Sequence, residues 1–384
     1  MSEQPIYLDY AATTPVDPRV LEIMLPYFTE HFGNPASKSH SYGNTAAAAV
    51  EEAREKLAKA INARPQEIIF TSGATEAINL AIKGAALANE SKGKHFITVA
   101  TEHKAVLDCF DWLENNGYET TVLPVDSEGI LDPQQVADAI RPNTVMVSVM
   151  MVNNEIGVIQ DIAAIGAICK QHDVYFMTDA TQGLGKEKID VKAMNIDLLT
   201  ASSHKIYGPK GVGMLYAKRS NPRVRLDPIQ HGGGHEKGLR SGTLPTPLIV
   251  GFGAAVQIAC KGMKKEQARL RKFRDELQNE LLNKVPGASV NGHLENRVAG
   301  ILNINLPPVD AEALVASLSD RLAFSTGSAC TTERIQSSHV LEILRLTNTR
   351  HAIRLSLGLG LEQKLLDKTM TCIVSEHQRL AQFI

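Results

Sequence analysis

The sequence has few cysteines and no excess of charge of either sign. Only five cysteines occur in 384 residues, widely spaced and never as a Cys-x-x-Cys pair. This usage predicts free thiols in a reducing compartment and argues against a disulfide framework or a thiolate zinc site. Lys and Arg number 40 against 42 Asp and Glu, which gives a formal net charge of −2. The chain has no excess of positive charge that would attract nucleic acid or an anionic membrane over a long range. We therefore expect no direct binding to either.

The sequence also has no apolar run that approaches the roughly 20 residues needed to span a bilayer. Its start, Met-Ser-Glu-Gln-Pro, has neither the basic region nor the apolar stretch of a secretory signal. We therefore expect a cytoplasmic protein. The composition, with 43% hydrophobic and 21% charged residues, is that of a globular chain, and its length predicts two or three domains.

Short apolar runs alternate with helical patterns between residues 67 and 217. The run 144–152 is apolar almost throughout, as expected for a strand of a parallel sheet that is buried on both faces. This rhythm predicts an α/β fold with a mostly parallel sheet between helices. Because this alternation of strands and helices changes near residue 260, we predict a large domain of residues 15–260. A smaller α+β domain is predicted from residues 1–14 and 261–384.

Three motifs follow predicted strands. The stretch Thr71–Glu76 opens a helix with small residues, which suits an anion, although Thr75 could simply cap that helix. Asp179 ends a strand and could hold a cationic nitrogen, although a turn or N-cap Asp is commoner. Lys205 precedes a Gly/Pro turn and is a candidate for a Schiff base, against a base rate that favours a solvated lysine. Together, phosphate site, acid and lysine are the three anchors of pyridoxal 5'-phosphate (PLP) and predict that cofactor.

Further motifs extend from Ile6 to about Gly358. They include FGNPAS at 32–37, TEHK at 101–104, VNNEIG at 152–157, SGT at 241–243 and GSAC at 327–330. On these motifs the chain resembles the NifS/IscS-type cysteine desulfurases, in the class V aminotransferase branch of fold-type I PLP enzymes. The resemblance implies that L-cysteine loses its sulfur to give L-alanine and a persulfide on Cys330, which passes to an acceptor protein. It also implies a homodimer with shared active sites.

The resemblance implies a role for each matching residue. Lys205 binds the cofactor as an imine and takes the Cα proton of the substrate. Asp179 pairs with the pyridinium nitrogen, Gln182 faces the ring oxygen, and His103 stacks on the ring as a candidate proton shuttle. The implied phosphate ligands are Thr75, Ser202, His204 and, from the neighbouring subunit, Thr243. The implied substrate ligands are Asn34, Asn154 and Arg354. An arginine suits a bidentate grip on a carboxylate, and the alternative for Arg354 is a surface ion pair.

Cys330 differs from the other cysteines. Cys109, Cys169, Cys260 and Cys372 each lie in a helical pattern, which favours small buried hydrophobes. Cys330 lies in a polar segment, about residues 325–338, so a reactive thiol is the better interpretation. In the resembling family this loop carries the nucleophile that takes sulfur from the substrate.

Two other patterns carry no function. Gly251 and Gly253 form a broken dinucleotide fingerprint with no strand before it. His231 and His235 lie in a glycine-rich loop and not on a helix, so no metal site is expected.

Two alternative functions stay open at this point. One is a selenocysteine lyase or another class V PLP enzyme, and the other is a non-catalytic platform in a sulfur-transfer complex. The chain stops at Ile384, where housekeeping members carry a longer tail that helps dock an iron–sulfur scaffold. The resemblance therefore leaves iron–sulfur cluster assembly, tRNA thiolation and DNA phosphorothioation as destinations of the sulfur.

Overall fold

A computed structural model describes residues 4–220, 223–326, 338–344 and 349–384. Its strands are β1 (Ile6–Tyr7), β2 (Ile68–Thr71), β3 (His95–Val99), β4 (Glu119–Leu123), β5 (Thr144–Ser148), β6 (Tyr175–Asp179), β7 (Leu198–Ser202), β8 (Gly213–Ala217), β9 (Ser289–Val290), β10 (Ile301–Asn305), β11 (Leu322–Ala323) and β12 (Ala352–Ser356). Its helices are α1 (Pro18–Met24), α2 (Pro26–Thr29), α3 (Ser41–Ala60), α4 (Ala74–Ala88), α5 (Lys104–Asn115), α6 (Pro133–Ala139), α7 (Ile162–Gln171), α8 (Thr246–Lys284), α9 (Ala311–Leu318), α10 (His339–Ile343) and α11 (Gln363–Ala381).

The central sheet has seven strands in the order β2-β8-β7-β6-β5-β3-β4. All of its neighbours are parallel except β8, which runs antiparallel to both β2 and β7. Every residue of β5, β6 and β7 is buried, because helices cover both faces of the sheet. The predicted α/β fold with a mostly parallel sheet is thus confirmed. The reversal at β8 was not predicted, and it arises because the short link from β7 has no crossover helix, which a parallel connection requires.

The predicted strand 144–152 is too long. The strand β5 ends at Ser148, although Val149 and Met151 still donate backbone hydrogen bonds to β6. The chain then turns back on itself. Asn153 makes this turn, since its Oδ1 accepts the backbone N–H groups of Glu155 and Ile156 at 2.9 and 3.0 Å. Such side-chain bonds to nearby backbone compete with a sheet ladder. The turn places Asn154 beyond the carboxyl edge of the sheet.

The helix α8 is one continuous helix of 39 residues that joins two apolar cores. Its first half packs against α3 and α1 beside the central sheet, and its second half packs against α11. One window of α8 is long and apolar enough to cross a membrane by length and composition, with a mean hydropathy of 1.3. Half of that window is buried inside the protein, as in the core helix of a globular domain. The predicted domain boundary at 260 lies inside α8 and stays a prediction.

The second core surrounds a small antiparallel sheet in the order β12-β10-β9. The N-terminal strand β1 returns to this region and pairs in parallel with β11. Leu8 is fully buried there with Leu302 and Leu355, because β1 delivers it into the same apolar cluster. The chain therefore passes from this core into the central sheet through residues 9–17.

Candidate active site

The carboxyl ends of β3, β5, β6 and β7 meet at one edge of the central sheet. The strand β4 lies on one side of β3, and β5, β6 and β7 follow one another on its other side. The order of strands thus reverses between β3 and β5, and α/β sheets bind ligands at such a reversal. A cavity of about 460 Å³ opens at this edge. The residues predicted from the sequence that line it are Thr75, His103, Asn154, Asp179, Gln182, Ser202, His204, Lys205 and Arg354.

Three predicted residues are not in this lining. Asn34 lies on an exposed turn, where its Oδ1 accepts the N–H of Ala36 at 2.9 Å. Thr243 is also exposed. Cys330 lies outside the described residues. The roles assigned to all three stay predictions.

Lys205 ends a single 3₁₀ turn, Ser203–Lys205, that directly follows β7. Its amine donates to the backbone oxygens of Ala11 and Ala12, each at 2.7 Å. These carbonyls belong to the segment that crosses from the second core into the sheet. The lysine is thus held by this segment and lines the same cavity as Asp179 and Ser202.

Asp179 is the last residue of β6 and is 5% exposed. Its Oδ1 accepts the backbone N–H of Thr181 at 2.9 Å and the hydroxyl of Thr200 at 3.2 Å. Among the described residues, no donor lies within hydrogen-bond distance of Oδ2. The carboxylate is therefore held by one oxygen and presents the other to the cavity.

The N-terminus of α4 forms another wall of the cavity. Gly73 precedes the helix, and a Cβ built on it meets only the Ser202 hydroxyl, at 4.0 Å. The first amide groups of any helix have no partner inside it and attract an anion. Thr75 and Ser202 add hydroxyl donors beside them. The open space in front of these donors fits a phosphate group.

His204 lies next to this anion site. Its Nδ1 is 3.0 Å from the Thr13 hydroxyl. Burial, together with the charges of Lys205 and Lys210, lowers the pKa of His204 to about 4. His204 is therefore neutral at neutral pH in the protein without cofactor and acts as a hydrogen-bonding group.

His103 opens α5, where its Nδ1 accepts the N–H of Ala105 at 3.1 Å. This cap fixes the imidazole at the mouth of the β3–β5 crevice. The preceding residue, Glu102, is fully buried and accepts the backbone N–H of Met150, another residue of the cavity wall. Two neighbouring strand ends are thereby tied together behind the imidazole.

Gln182 joins two parts of the cavity floor. Its Nε2 donates to the oxygen of Ala11 at 2.8 Å, and its Oε1 accepts from the amine of Lys186 at 2.6 Å. Ala11 thus receives hydrogen bonds from both Gln182 and Lys205. Lys186 was not singled out from the sequence, because its position one helical turn after Gln182 shows only in the folded chain.

Arg354 is 2% exposed, so it does not form the surface ion pair that was its alternative interpretation. Its guanidinium donates to Asp9 Oδ1 at 2.8 Å and to the oxygen of Asn154 at 3.1 Å, and it lines the cavity. The Nε atom is buried, and no described residue is its hydrogen-bond partner. The sequence assigned no role to Asp9, and the structure shows that it holds the arginine in place.

The segment that carries Cys330 begins and ends beside this arginine. The Arg354 N–H donates to the Ser325 oxygen at 2.7 Å. The Ser338 hydroxyl donates to Glu155, the neighbour of Asn154, and burial raises the pKa of Glu155. Both described ends of the segment are therefore fastened on the side of the cavity that carries Arg354 and Asn154.

The four described cysteines lie elsewhere. Cys109 and Cys169 are buried, and Cys260 and Cys372 are partly buried. Burial raises the pKa of the Cys109 thiol to about 11 and also raises that of Cys169. Since the thiolate is the reactive form, these two are inert at neutral pH. Among the described residues, no group of three or more His, Cys, Asp or Glu side chains is arranged to hold a metal ion.

Comparison with known proteins decides the family. A profile of the family described as aminotransferase class-V matches residues 6–368. The chain belongs to the aminotransferase class-V family. The cysteine desulfurase IscS of Methylobacillus flagellatus is 51% identical over 381 residues, which cover 98% of this chain and 93% of that protein.

Solved structures of this family have the same fold. A NifS-like protein aligns with a TM-score of 0.90 and 34% identity over 99% of this chain and 100% of that one. The structure described as SspA in complex with cysteine aligns with a TM-score of 0.82 and 40% identity over 92% and 98%. The predicted fold-type I architecture and class V branch are confirmed. Because class-V enzymes of this kind depend on PLP, the predicted cofactor is confirmed as well.

The cavity of this class-V chain fits PLP. The open Oδ2 of Asp179 suits a pyridinium N–H, and the amine of Lys205 suits the aldehyde carbon. The anion site at the start of α4 suits the phosphate. All three features line one cavity.

Proposed function

We propose that the protein is a PLP-dependent cysteine desulfurase that converts L-cysteine to L-alanine and passes the sulfur to an acceptor protein. One observation carries the proposal. A single cavity brings together Thr75, Asp179 and Lys205, the proposed PLP anchors, and a buried arginine, Arg354, that can bind an amino-acid carboxylate. The identity with relatives named cysteine desulfurase supports the choice of substrate.

Lys205 and Asp179 serve the cofactor. Bound PLP supplies an electron sink for the charge that develops at the substrate Cα. Asp179 keeps the ring nitrogen protonated through Oδ2, since Oδ1 is already engaged by Thr181 and Thr200. The amine of Lys205 would take the proton from the substrate Cα. His103, which lies in the same cavity lining, would hold the ring against its imidazole and move a proton within the site.

Arg354 and Asn154 bind the substrate. The guanidinium is held by Asp9 and by the backbone of Asn154, so it is oriented before substrate arrives. A carboxylate beside it gains a charge-assisted hydrogen bond in a site with little water. Residues 325 and 338, the described ends of the Cys330 segment, are fastened beside the same arginine and Glu155.

Cys330 is the proposed sulfur acceptor within the enzyme. Its thiolate attacks the substrate sulfur, an S–S bond forms, and the C–S bond breaks. The bonding electrons stay on the carbon fragment, which takes up protons and leaves as L-alanine. Four residues beyond Thr326, Cys330 lies at most about 14 Å of chain from it, so the covalent link permits an approach to the cavity.

The remaining proposals concern partners. Thr243 is exposed, as a residue that completes a neighbouring subunit's phosphate site must be in a single chain. We therefore propose a homodimer with shared sites, located in the cytoplasm. Asn34 is exposed too, and its role as a substrate ligand remains proposed. The acceptor protein belongs to iron–sulfur cluster assembly, tRNA thiolation or DNA phosphorothioation.

The test of this function is alanine formation from L-cysteine and a reductant, with the cofactor absorbance recorded on the same sample. We expect a coloured protein that makes alanine and loses this activity in Cys330→Ala. Cys260→Ala is the matched control, because Cys260 lies in α8 away from the cavity, and it should keep full activity.

Three results would contradict the proposal. Coloured protein that makes no alanine would point to another class V substrate, such as selenocysteine. Alanine formation with sulfur transfer that persists in Cys330→Ala would remove Cys330 from the mechanism. Protein that never binds PLP would favour a non-catalytic platform.

A further inference from the structure

A second cavity lies behind the candidate active site. It measures about 490 Å³, and Ala11 and Lys205 are in the lining of both cavities. The second cavity, here called the rear cavity, lies between α8 and the segment that crosses from one core to the other. Its walls are mostly apolar and include Val20, Ile206, Ala255, Ile258, Met263 and Leu270. Its size falls in the range of about 300–1,000 Å³ that small-molecule sites occupy.

Lys186 lies in the wall of this cavity. Its amine donates to Gln182 Oε1, and among the described residues no carboxylate lies within ion-pair distance of it. The side chain keeps some accessible surface, but that surface lies in a pocket and not in bulk water. Burial, with a smaller contribution from the charge of Lys205, lowers the pKa of Lys186 to about 7. The amine therefore changes between its neutral and its charged form near neutral pH, and its charged form has no carboxylate beside it in the described residues.

The other charged residues of the rear cavity do not supply a counter-charge for Lys186. The basic residues of its lining are Arg19, Lys186, Lys205 and Lys261, and the acidic ones are Asp17 and Glu266. Both acids are already engaged, since Asp17 pairs with Arg19 and Glu266 pairs with Arg269, each at 2.6 Å. An uncompensated buried cation is unfavourable, and an anion beside it removes much of that cost.

We propose that the rear cavity binds a small apolar monocarboxylate, whose carboxylate pairs with Lys186 and whose hydrocarbon part packs against α8. The apolar walls, with the amine of Lys186 among them, select this chemistry over a polar anion such as phosphate. The buried Oε1 of Gln267 has no hydrogen-bond partner within the described part of the chain, lies in the same lining and would accept a hydroxyl or amide donor on such a ligand.

A ligand in the rear cavity would affect the cofactor site through hydrogen bonds. Hydrogen bonds connect Lys186 to Gln182, Gln182 to the oxygen of Ala11, and Ala11 to the amine of Lys205. An anion that draws Lys186 toward the rear cavity weakens its bond to Gln182, which is a proposed ligand of the PLP ring oxygen. Because coupling between two sites is reciprocal, bound PLP must change the affinity of the rear cavity by the same factor.

The experiment titrates octanoate into the full-length protein, with and without PLP, by calorimetry. We expect saturable binding of one octanoate per chain and weaker binding of 1-octanol, which has the same chain without the charge. Lys186→Met should weaken octanoate binding by more than about tenfold, because it removes one partner of a desolvated ion pair. Lys188→Met is the matched control, because Lys188 is exposed two residues further on, and it should bind as wild type.

A second variant tests where the ligand binds, and a second measurement tests its effect on the cofactor site. Ala259→Phe fills the rear cavity from α8 and should abolish binding, while circular dichroism checks that it folds. Octanoate should also shift the visible absorption of bound PLP in the wild type but not in Lys186→Met.

Octanoate binding that is equal in Lys186→Met and wild type would overturn the proposal, as would the absence of saturable binding. Binding lost in Arg354→Gln but kept in Lys186→Met would place the carboxylate in the active site instead. Because calorimetry needs no turnover, these outcomes are independent of the desulfurase assay.

Discussion

At the scale of single residues, Glu102 shows how burial changes a side chain. It is fully buried, its Oε1 accepts the N–H of Met150, and its Oε2 has no hydrogen-bond partner among the described residues. Burial, and then the charge of Asp179, raise the pKa of Glu102 well above its usual value. Glu102 therefore holds its proton to a higher pH than an exposed glutamate does, because a second negative charge would compete with Asp179.

Glu102→Gln should change how stability depends on pH. The folded protein holds a proton that the unfolded chain releases above about pH 4.5. Wild-type stability therefore falls as pH rises from the unfolded pKa toward the raised folded pKa. The glutamine variant does not lose stability in this way. Its free energy of unfolding relative to wild type should therefore increase with pH, by up to about 1.4 kcal/mol per pH unit.

The measurement is urea unfolding of the cofactor-free protein at about pH 5 and about pH 8. Glu22→Gln on the exposed face of α1 is the control and should follow wild type at both values. Parallel pH profiles for Glu102→Gln and wild type would show that Glu102 is charged in the folded protein.

At the scale of elements, α8 explains the glycines that resembled a dinucleotide fingerprint. A Cβ built on Gly253 comes within 2.8 Å of Ala53 Cα in α3, and one built on Gly251 meets Met24 Sδ at 2.4 Å. These glycines let two helices approach closely, which accounts for their spacing without any nucleotide. Gly262, later in α8, has nothing within 4 Å of a built Cβ.

Two glycine-to-alanine substitutions in α8 should therefore change the free energy of unfolding in opposite directions. Gly253→Ala forces α3 and α8 apart and should lower the free energy of unfolding by about 1–3 kcal/mol. Gly262→Ala meets no steric barrier and should raise it by about 0.5–1 kcal/mol, because alanine favours a helix more than glycine does. Urea unfolding of the cofactor-free variants tests both values. Shifts of the same sign would contradict the close packing of α3 on α8.

At the scale of the whole molecule, the loop that carries Thr243 is held firmly although Thr243 itself is exposed. Glu236 in this loop forms a buried bidentate ion pair with Arg54 of α3, at 2.8 Å for both bonds, and accepts the N–H of Phe70. Arg240 of the same loop pairs with Glu76 in the first turn of α4. A loop fixed in this way can present Thr243 to a second subunit.

Mixed dimers test whether sites are shared. Lys205→Ala and Thr243→Asp should each be inactive, the second because a carboxylate repels the cofactor phosphate. Dissociating and reassociating an equal mixture should restore alanine formation to about a quarter of the wild-type level, because half of the dimers then carry one intact site. Lys205→Ala mixed with Asp179→Asn should recover nothing, since both residues line one chain's cavity. Failure of the first mixture to recover would contradict shared sites.

Much of the site could be predicted because its residues follow strands. Thr75, Asp179 and Lys205 each come directly after an apolar run, and parallel strands bring their carboxyl ends to one edge. Lys186, Glu102 and Asp9 could not be found in this way. Each acts through a contact with a residue distant in sequence or through its loss of water, and neither property is visible in the local pattern.

The sequence by itself determined the family, the cofactor and the order of strands and helices, because these depend on local patterns and on motifs read along the chain. Only the tertiary structure decided that β8 runs antiparallel, that Arg354 is buried against Asp9 and that α8 crosses the predicted domain boundary. It alone showed the rear cavity and Lys186 in its wall. These features depend on which surfaces lose contact with water, and burial is a property of the folded chain as a whole.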